Sequence, residues 1–169
     1  MLKKTTLILL LVTGAIKLHA QEKWFVRQIS EKVSVSFPKQ PKKINEISYG
    51  IKDSTGTIFT TSIVNLLSIV KLDLTALNAE IEKQQFADDF VSGISTSFPK
   101  YKFEQAKIIT VKGQRAYGVM AKDEENKQNL YMRICFLDGI SYGLTCILPD
   151  GTNYNDKDLF LNSISFKKN

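Results

Sequence analysis

Two rows of alternating apolar residues between Leu130 and Leu148 constrain the fold more than any other feature of the sequence. The rows are Leu130, Met132, Ile134 and Phe136, then Ile140, Tyr142, Leu144, Cys146 and Leu148. A period of two is typical of β-strands, and the dipeptide Asp138-Gly139 between the rows is typical of a tight turn. The stretch therefore predicts a β-hairpin.

The register of this hairpin follows if both rows lie on one buried face of a sheet. Directly opposed residues share a face, so a three-residue loop, Leu137-Asp138-Gly139, would pair the rows. That register sets Phe136 opposite Ile140, Ile134 opposite Tyr142 and Leu130 opposite Cys146. It also places Gly139 in the left-handed position that closes a type I turn with a G1 bulge. A two-residue loop would separate the rows, so we predict the longer loop.

The predicted register decides the state of both cysteines. It places Cys146 in the core and Cys135 on the opposite face, beside Arg133. A disulfide needs Cβ atoms within about 4.5 Å of each other, which opposite faces of a sheet do not provide. We therefore predict free thiols. Cys146 is most simply a small core residue; Cys135 is either a second buried residue, which we favour, or a reactive thiol next to Arg133.

The first twenty residues predict a secretory signal peptide. A basic start with Lys3 and Lys4 precedes an apolar run, and Leu18-His19-Ala20 has the pattern of a cleavage site. The alternative is a membrane anchor, but a span needs about 20 apolar residues, and Lys17 closes this run early. We expect cleavage after Ala20 and an exported protein, periplasmic or secreted, without stable membrane insertion. Residues 21–169 would form a single domain.

Cleavage would remove His19, the only histidine of the chain. Without imidazole there is no Ser-His or Cys-His base and no histidine ligand for a metal. We therefore expect no enzyme activity and no cofactor. Loss of the leader also lowers the formal net charge from +6 to +3, and the remaining lysines are scattered. A nucleic-acid-binding protein would concentrate them in a stripe, so we expect no nucleic-acid partner.

Residues 77–98 predict one long amphipathic helix. Its apolar residues recur at helical spacing; they are Leu77, Ile81, Ala87, Phe90, Val91, Ile94 and Phe98. Asp73 or Thr75 would cap its start, and Pro99 would end it. Asp88 falls at the edge of the apolar stripe, where it is either a carboxylate of a binding site or, more commonly, a rim group hydrogen-bonded to its neighbours.

The rest of the chain reads mainly as strands. Alternating strands are expected at 33–37 and 47–51, further strands at 103–111, 117–121 and 164–166, and a short helix at 154–161. Residues 57–70 also favour a strand, but the alternation does not place its end. The fold class predicted is α+β, with an antiparallel sheet of about six strands flanked by one long and one short helix.

Three segments resemble the PsbP/DcrB-like group of exported bacterial proteins. They are "VSVSFPKQP" (33–41), "VKGQRAYGV" (111–119) and "DLFLNSISF" (158–166), and the order of elements fits over most of 21–169. The resemblance implies an antiparallel sheet flanked by helices. It also implies non-enzymatic binding or accessory roles in larger assemblies, and it supplies no catalytic residue to map.

Three functions follow as alternatives. The first is an exported, non-enzymatic binding or accessory protein of the bacterial cell envelope, whose partner is an unknown protein or envelope component. Trp24 would then either clamp onto the sheet or belong to the partner surface. The second is a carrier of a small apolar ligand, with a pocket between the sheet and the helix that bears Phe90 and Ile94. The third, least favoured, is an enzyme that uses the thiol of Cys135 or the carboxylate of Asp88.

Overall fold

The computed structural model describes residues 24–152 and 155–167, so the predicted signal peptide lies outside the described residues. The strands are β1 (Phe25–Gln28), β2 (Val33–Phe37), β3 (Lys42–Asn45), β4 (Ser48–Lys52), β5 (Ile58–Asn65), β6 (Lys102–Phe103), β7 (Lys107–Val111), β8 (Gln114–Asp123), β9 (Gln128–Leu137), β10 (Ile140–Pro149) and β11 (Ser165–Phe166). The α-helices are α1 (Leu74–Ile81), α2 (Gln84–Ser95) and α3 (Asn155–Leu161), and a 3₁₀ turn, Leu66–Ser68, follows β5.

The strands form a main sheet and a small sheet. The main sheet has eight strands in the order β3-β4-β5-β10-β9-β8, with β6 and β7 both paired to β8; the small sheet has the order β1-β2-β11. Every pairing is antiparallel. The predicted α+β class is confirmed. The prediction of about six strands is wrong, because the chain adds short edge strands and a separate three-stranded sheet.

Both faces of the main sheet are covered. On the face that we call the α3 face, Cys135, Leu144 and Cys146 pack with Phe160 of α3 and with the apolar residues of β2. On the opposite face, the α2 face, Met132 and Ile134 pack with apolar residues of α1 and α2, among them Leu77, Ile81, Ala87 and Val91. The molecule therefore has three layers, with the main sheet in the middle and a hydrophobic cluster on each side.

The register of the β9–β10 hairpin differs from the prediction by one residue. Leu137 pairs with Ile140 and Cys135 with Tyr142, so the loop is the two-residue Asp138-Gly139. Both loop residues have positive φ, 52° and 75°, as a type I′ turn requires. The predicted three-residue loop is wrong because it assumed one buried face. Since both faces are buried, the apolar row of β9 lies on the α2 face and that of β10 on the α3 face.

The two cysteines are free and buried, which confirms the prediction, but the reason given for it is wrong. Both lie on the α3 face: Cys135 is opposite Tyr142 and Cys146 opposite Tyr131. Four positions along β10 therefore separate them, about 13 Å at the rise of an extended strand. Distance along the strands, rather than opposite faces, prevents a disulfide.

The predicted long helix is divided in two at Glu82-Lys83. Asp73 caps α1, as predicted, because its Oδ1 accepts the N–H of Ala76 at 2.8 Å. In one straight helix the stripe through Leu77 and Ile81 would continue to polar Gln84, Gln85 and Asp88. The break turns α2 so that Ala87 and Val91 also face the sheet. The prediction of one long and one short helix is thus wrong, since the described residues form three α-helices.

Within the described ranges, no helix has the length and apolar content needed to span a membrane.

Candidate functional site

A groove lies on the α2 face, between α2 and the strands β5, β9 and β10. Its volume is about 350 Å³. Phe90 and Ile94 of α2 line one wall, and Met132 and Ile134 of β9 line the floor beneath them. We call this site the apolar groove. It occupies the place where the sequence predicted a ligand pocket, between the sheet and the helix that bears Phe90 and Ile94.

A change in side-chain size across the sheet makes the groove. One cross-strand row runs from Ile134 on β9 to Gly143 on β10, Ser62 on β5 and Ser48 on β4. The next row runs in the same order through Met132, Thr145, Thr60 and Gly50. Large apolar residues therefore fill the floor under the helix, and small residues leave it hollow beyond β9.

Gly143 keeps the centre of the floor low. A Cβ added to it would lie 2.6 Å from Ser62 Oγ, which is closer than non-bonded atoms approach without moving. Gly143 is buried, so a larger residue there would displace Ser62 or rise into the groove. The depth of the groove thus depends on the contact between this glycine and this serine.

Aromatic packing holds the helix wall in place. The Phe90 ring lies edge-to-face against Tyr117 and Phe136, with centroids 6.1 Å and 5.8 Å away. The Tyr117 hydroxyl donates to the carbonyl of Ile81 at 2.9 Å, at the end of α1. Edge-to-face pairs of this kind fix ring orientation as well as bury area. Phe90 therefore lies over the sheet in one position and forms a rigid side of the groove.

Hydroxyl groups supply the polar part of the groove. Ser48 donates to Asn45 Oδ1 at 2.7 Å, and Ser141 to the carbonyl of Val64 at 3.4 Å. The hydroxyls of Thr60, Ser62 and Thr145 have no hydrogen-bond partner among the described residues. A hydroxyl both donates and accepts, so these three can bind a polar group of either kind. The groove can thus hold an apolar body that carries a small uncharged polar group.

Of the five candidate site residues, Trp24, Asp88, Phe90, Arg133 and Cys135, only Phe90 lines the apolar groove. Trp24 packs edge-to-face on Phe59 with centroids 6.5 Å apart, so it clamps onto the α3 face of the sheet. The Asp88 carboxylate accepts from Gln84 at 2.8 Å and from Gln105 at 3.3 Å. Asp88 is therefore a locally hydrogen-bonded rim residue outside the groove.

Arg133 and Cys135 lie on the other side of the main sheet. The Cys135 side chain is fully buried, and desolvation raises its pKa to about 12 although Arg133 opposes that shift. Desolvation likewise raises the pKa of Cys146 to about 12. Both groups are therefore neutral thiols at physiological pH, and neither contacts solvent. Among the described residues, no three His, Cys, Asp or Glu side chains cluster closely enough to hold a metal ion.

Sequence reasoning did not identify the small residues of the groove floor, Ser141, Gly143 and Thr145 of β10. They alternate with the apolar row of β10, so the assumption of one buried face places them on an outer face. One signal could have revealed them: a strand whose second row is Ser, Gly and Thr offers no large side chains to a covering helix. Beneath a helix, such a row predicts a cavity.

No family model and no curated protein matches the sequence. Solved structures do match. The solution structure of cyanobacterial PsbP (CyanoP) from Synechocystis sp. PCC 6803 superposes with a TM-score of 0.62 at 11% identity, covering 91% of this chain and 96% of that one. A crystal structure from Bacteroides thetaiotaomicron gives a TM-score of 0.49 at 13% identity; it covers 88% of this chain, which spans about half, 49%, of that one. A Pseudomonas aeruginosa protein of unknown function gives a TM-score of 0.39 at 13% identity, with 75% and 83% covered.

The match to cyanobacterial PsbP, which covers nearly all of both chains, shows that the fold is PsbP-like. The resemblance inferred from the three sequence segments is confirmed at the level of fold.

Proposed function

We propose that this chain is a non-enzymatic binding protein that holds a small apolar ligand in the apolar groove. One observation supports the proposal above the others: across β9, β10 and β5, large apolar residues give way to Gly143 and Ser62, which leaves a hollow of about 350 Å³ beneath Phe90. Cavities of roughly 300 Å³ or more that are mostly apolar are typical of small-molecule sites. Burial of ligand surface there would provide the affinity, at about 25 cal/mol per Å².

The ligand proposed is an uncharged molecule with an apolar body and one hydrogen-bonding group. The groove contains no charged side chain among its described lining residues. Burying an ionised group there would be costly because nothing would pair with it. The free hydroxyls of Thr60, Ser62 and Thr145 suit an alcohol, an ether or a carbonyl.

We also propose that the protein is exported and acts in the cell envelope in an accessory role. The apolar leader with its Leu18-His19-Ala20 motif supports export. The PsbP-like fold is compatible with a binding role and carries no argument about the partner.

A fluorescence titration tests the groove. N-phenyl-1-naphthylamine brightens on entering an apolar site, and toluene should displace it. In Ser62→Leu the added side chain would occupy the floor, so we expect binding to weaken by about tenfold or more, since 1.4 kcal/mol corresponds to tenfold. Thr110→Leu is the matched control, because Thr110 is an exposed strand residue outside the groove. Equal binding by both variants, or no binding by the unmodified protein, would refute the proposal.

The role of the groove hydroxyls is tested by comparing two ligands, toluene and benzyl alcohol. Benzyl alcohol differs from toluene by one hydroxyl. In the double variant Ser62→Ala, Thr145→Val the groove keeps its shape but loses two hydroxyls. We expect benzyl alcohol to bind several-fold more weakly, because a hydrogen bond contributes about 1 kcal/mol, with toluene unaffected. An equal loss for both compounds would contradict the assigned role of the hydroxyls.

A second candidate function, binding of a partner protein, is favoured by residues 67–74, which run from the 3₁₀ turn after β5 to the first residue of α1. Leu67, Ile69, Leu72 and Leu74 are all exposed there, Ile69 by 66%. Adjacent exposed apolar side chains of this kind are typical of interaction surfaces. In affinity capture from envelope extract, the variant Ile69→Asp should no longer retain the partner. The variant Leu159→Asp should retain it; Leu159 is an exposed residue of α3. Identical capture by both variants would exclude this segment.

A further inference from the structure

Arg133 lies on the α3 face of the main sheet, in the middle of β9. Its direct neighbours across the ladder are Gly118 on β8 and Leu144 on β10. Gly118 has no side chain to fill the space beside the guanidinium; a Cβ built there would make only ordinary contacts, with Ile109 Cδ1 at 3.5 Å and the carbonyl oxygen of Lys107 at 3.9 Å. The pairing of an arginine with a glycine therefore opens a space at this point of the sheet.

That space is part of a second cleft, which we call the Arg133 cleft. It has a volume of about 400 Å³ and lies between α3 and the strands β7, β8 and β9. Lys107 of β7, Arg133 of β9 and Lys157 of α3 all line it. Three cationic side chains from three separate elements thus converge on one cleft.

The acidic residues at the cleft do not neutralise Arg133. Asp158 forms an ion pair with Lys157 at 3.0 Å, and that lysine also lies 4.5 Å above the Tyr131 ring. Glu104 lines the cleft as well, but among the described residues no carboxylate oxygen comes within 4.0 Å of the Arg133 guanidinium. The Nε of Arg133 is buried and has no hydrogen-bond partner in the part of the chain that the structure describes.

An unpaired, partly desolvated charge is unfavourable in a folded protein unless a partner compensates it. Guanidinium groups bind carboxylates and phosphates through two parallel hydrogen bonds. We propose that the Arg133 cleft binds a small molecule that bears an oxyanion, either a carboxylate or a phosphate, with Arg133 as the anchoring residue. Lys107 adds positive charge at the rim.

The cleft also has apolar walls, formed by Ile109 and Leu161. At about 400 Å³ it is larger than a bare phosphate ion requires, so the anion is expected to carry a small organic body. This site lies on the opposite face of the main sheet from the apolar groove and selects a charged ligand. It does not depend on the function proposed for the groove.

The experiment is isothermal titration calorimetry of the full chain with four probes: phosphate, acetate, phenyl phosphate and benzoate, each at constant ionic strength set with chloride. We expect at least one probe to bind saturably, with one of the aromatic anions tighter than its bare counterpart. Tighter binding of the two phosphates than of the two carboxylates, or the reverse, would identify the oxyanion that the cleft prefers. Absence of saturable binding by all four would overturn the proposal.

Arg133→Gln should weaken that binding by about tenfold or more, because the charge-assisted hydrogen bonds of the guanidinium are lost. Arg133→Lys keeps the charge but cannot make the two parallel hydrogen bonds of a guanidinium, so it should keep only part of the affinity. Arg115→Gln is the matched control: Arg115 lies on β8, and its Nε already donates to Glu82 at 2.7 Å. Far-UV circular dichroism would establish that each variant is folded. If Arg115→Gln and Arg133→Gln lose affinity equally, or if Arg133→Gln binds normally, Arg133 is not the anchor.

Discussion

Gly143 and Ser62 lie directly opposite each other on β10 and β5, and a methyl group on Gly143 would lie 2.6 Å from Ser62 Oγ. This one contact sets the depth of the apolar groove.

Gly143→Ala should destabilise the protein by about 1 kcal/mol, the low end of the usual cost of overpacking, because the atom in the way is the hydroxyl of an exposed serine, which can rotate. The added methyl has no room until Ser62 moves. In the double variant Ser62→Ala, Gly143→Ala the conflicting oxygen is gone, so most of the stability should return. Urea unfolding of the single and double variants measures both quantities.

Gly118→Ala is the control for that cycle, since its Cβ would make only ordinary contacts, the nearest at 3.5 Å. It should be neutral or stabilising by up to about 1 kcal/mol, because alanine restricts the unfolded chain. If Gly118→Ala and Gly143→Ala lose the same stability, or if Ser62→Ala rescues nothing, the contact between Gly143 and Ser62 does not limit the packing.

The thiols of Cys135 and Cys146 should be unreactive in the native protein. Both are fully buried, and burial raises the pKa of each to about 12. A disulfide-exchange reagent such as DTNB should therefore detect no thiol near pH 8 until denaturant is added, and both thiols afterwards. Rapid reaction of one thiol in the folded protein would show that the hydrophobic core on the α3 face is accessible to the reagent.

Stability should fall steadily in alkaline solution. Desolvation raises the native pKa of Tyr117 and of both cysteines above their unfolded values. Above the unfolded pKa, about 8.5 for cysteine and about 10 for tyrosine, the unfolded chain releases protons that the native protein keeps. Each group then lowers the free energy of unfolding by about 1.4 kcal/mol per pH unit until its native pKa is reached.

The contribution of these buried, neutral groups to the free energy of unfolding is fully present below their unfolded pKa values and is lost as the pH rises. Chemical denaturation at several values between about pH 8 and 11 would measure the slope. The variant Cys135→Ala should show a shallower slope whatever its absolute stability. A stability that stays level across this range would mean that these groups are not buried in solution.

The cap of α1 gives a further prediction. Asp73→Ala removes the bond to the N–H of Ala76 and should cost about 1 kcal/mol, as is usual for an N-cap. Asp89→Ala is the control: its carboxylate accepts from Gln85, four residues earlier on α2, a contact that contributes about 0.2–0.5 kcal/mol. Thermal unfolding would rank the two variants. Equal losses of stability would show that the Asp73 cap does not contribute more than an ordinary surface hydrogen bond.

The sequence was sufficient for the class of the fold and for its best-patterned strands, because alternation and turn residues act locally. Val33–Phe37 and the strands of the β9–β10 hairpin are found where period-two patterns predicted them. The register of the β9–β10 hairpin, by contrast, does not follow from local sequence patterns. It depends on whether one face or both faces of the sheet are covered, and α2 and α3 cover one face each. A pattern within Leu130–Leu148 contains no information about helices elsewhere in the chain.

The site was predicted in part for the same reason. Phe90 and Ile94 were recognised from helical spacing, which also put the pocket beside the correct helix. The floor, with Gly143 and Thr145, does not follow from the sequence because the assumption of one buried face puts these residues on an outer face, whereas both faces are covered. The division of the helix at Glu82-Lys83 was missed because each half has its own regular apolar stripe, and only the shared sheet requires them to turn.

Ligand mapping by NMR tests the central claim most directly. In ¹⁵N-labelled protein titrated with toluene, we expect saturable shifts of backbone amides in β5 and β10 around Ser62 and Gly143 and in α2 around Phe90. These residues are far apart in sequence but share the apolar groove. Shifts confined to the surface near Trp24, or no saturable shift at all, would contradict it.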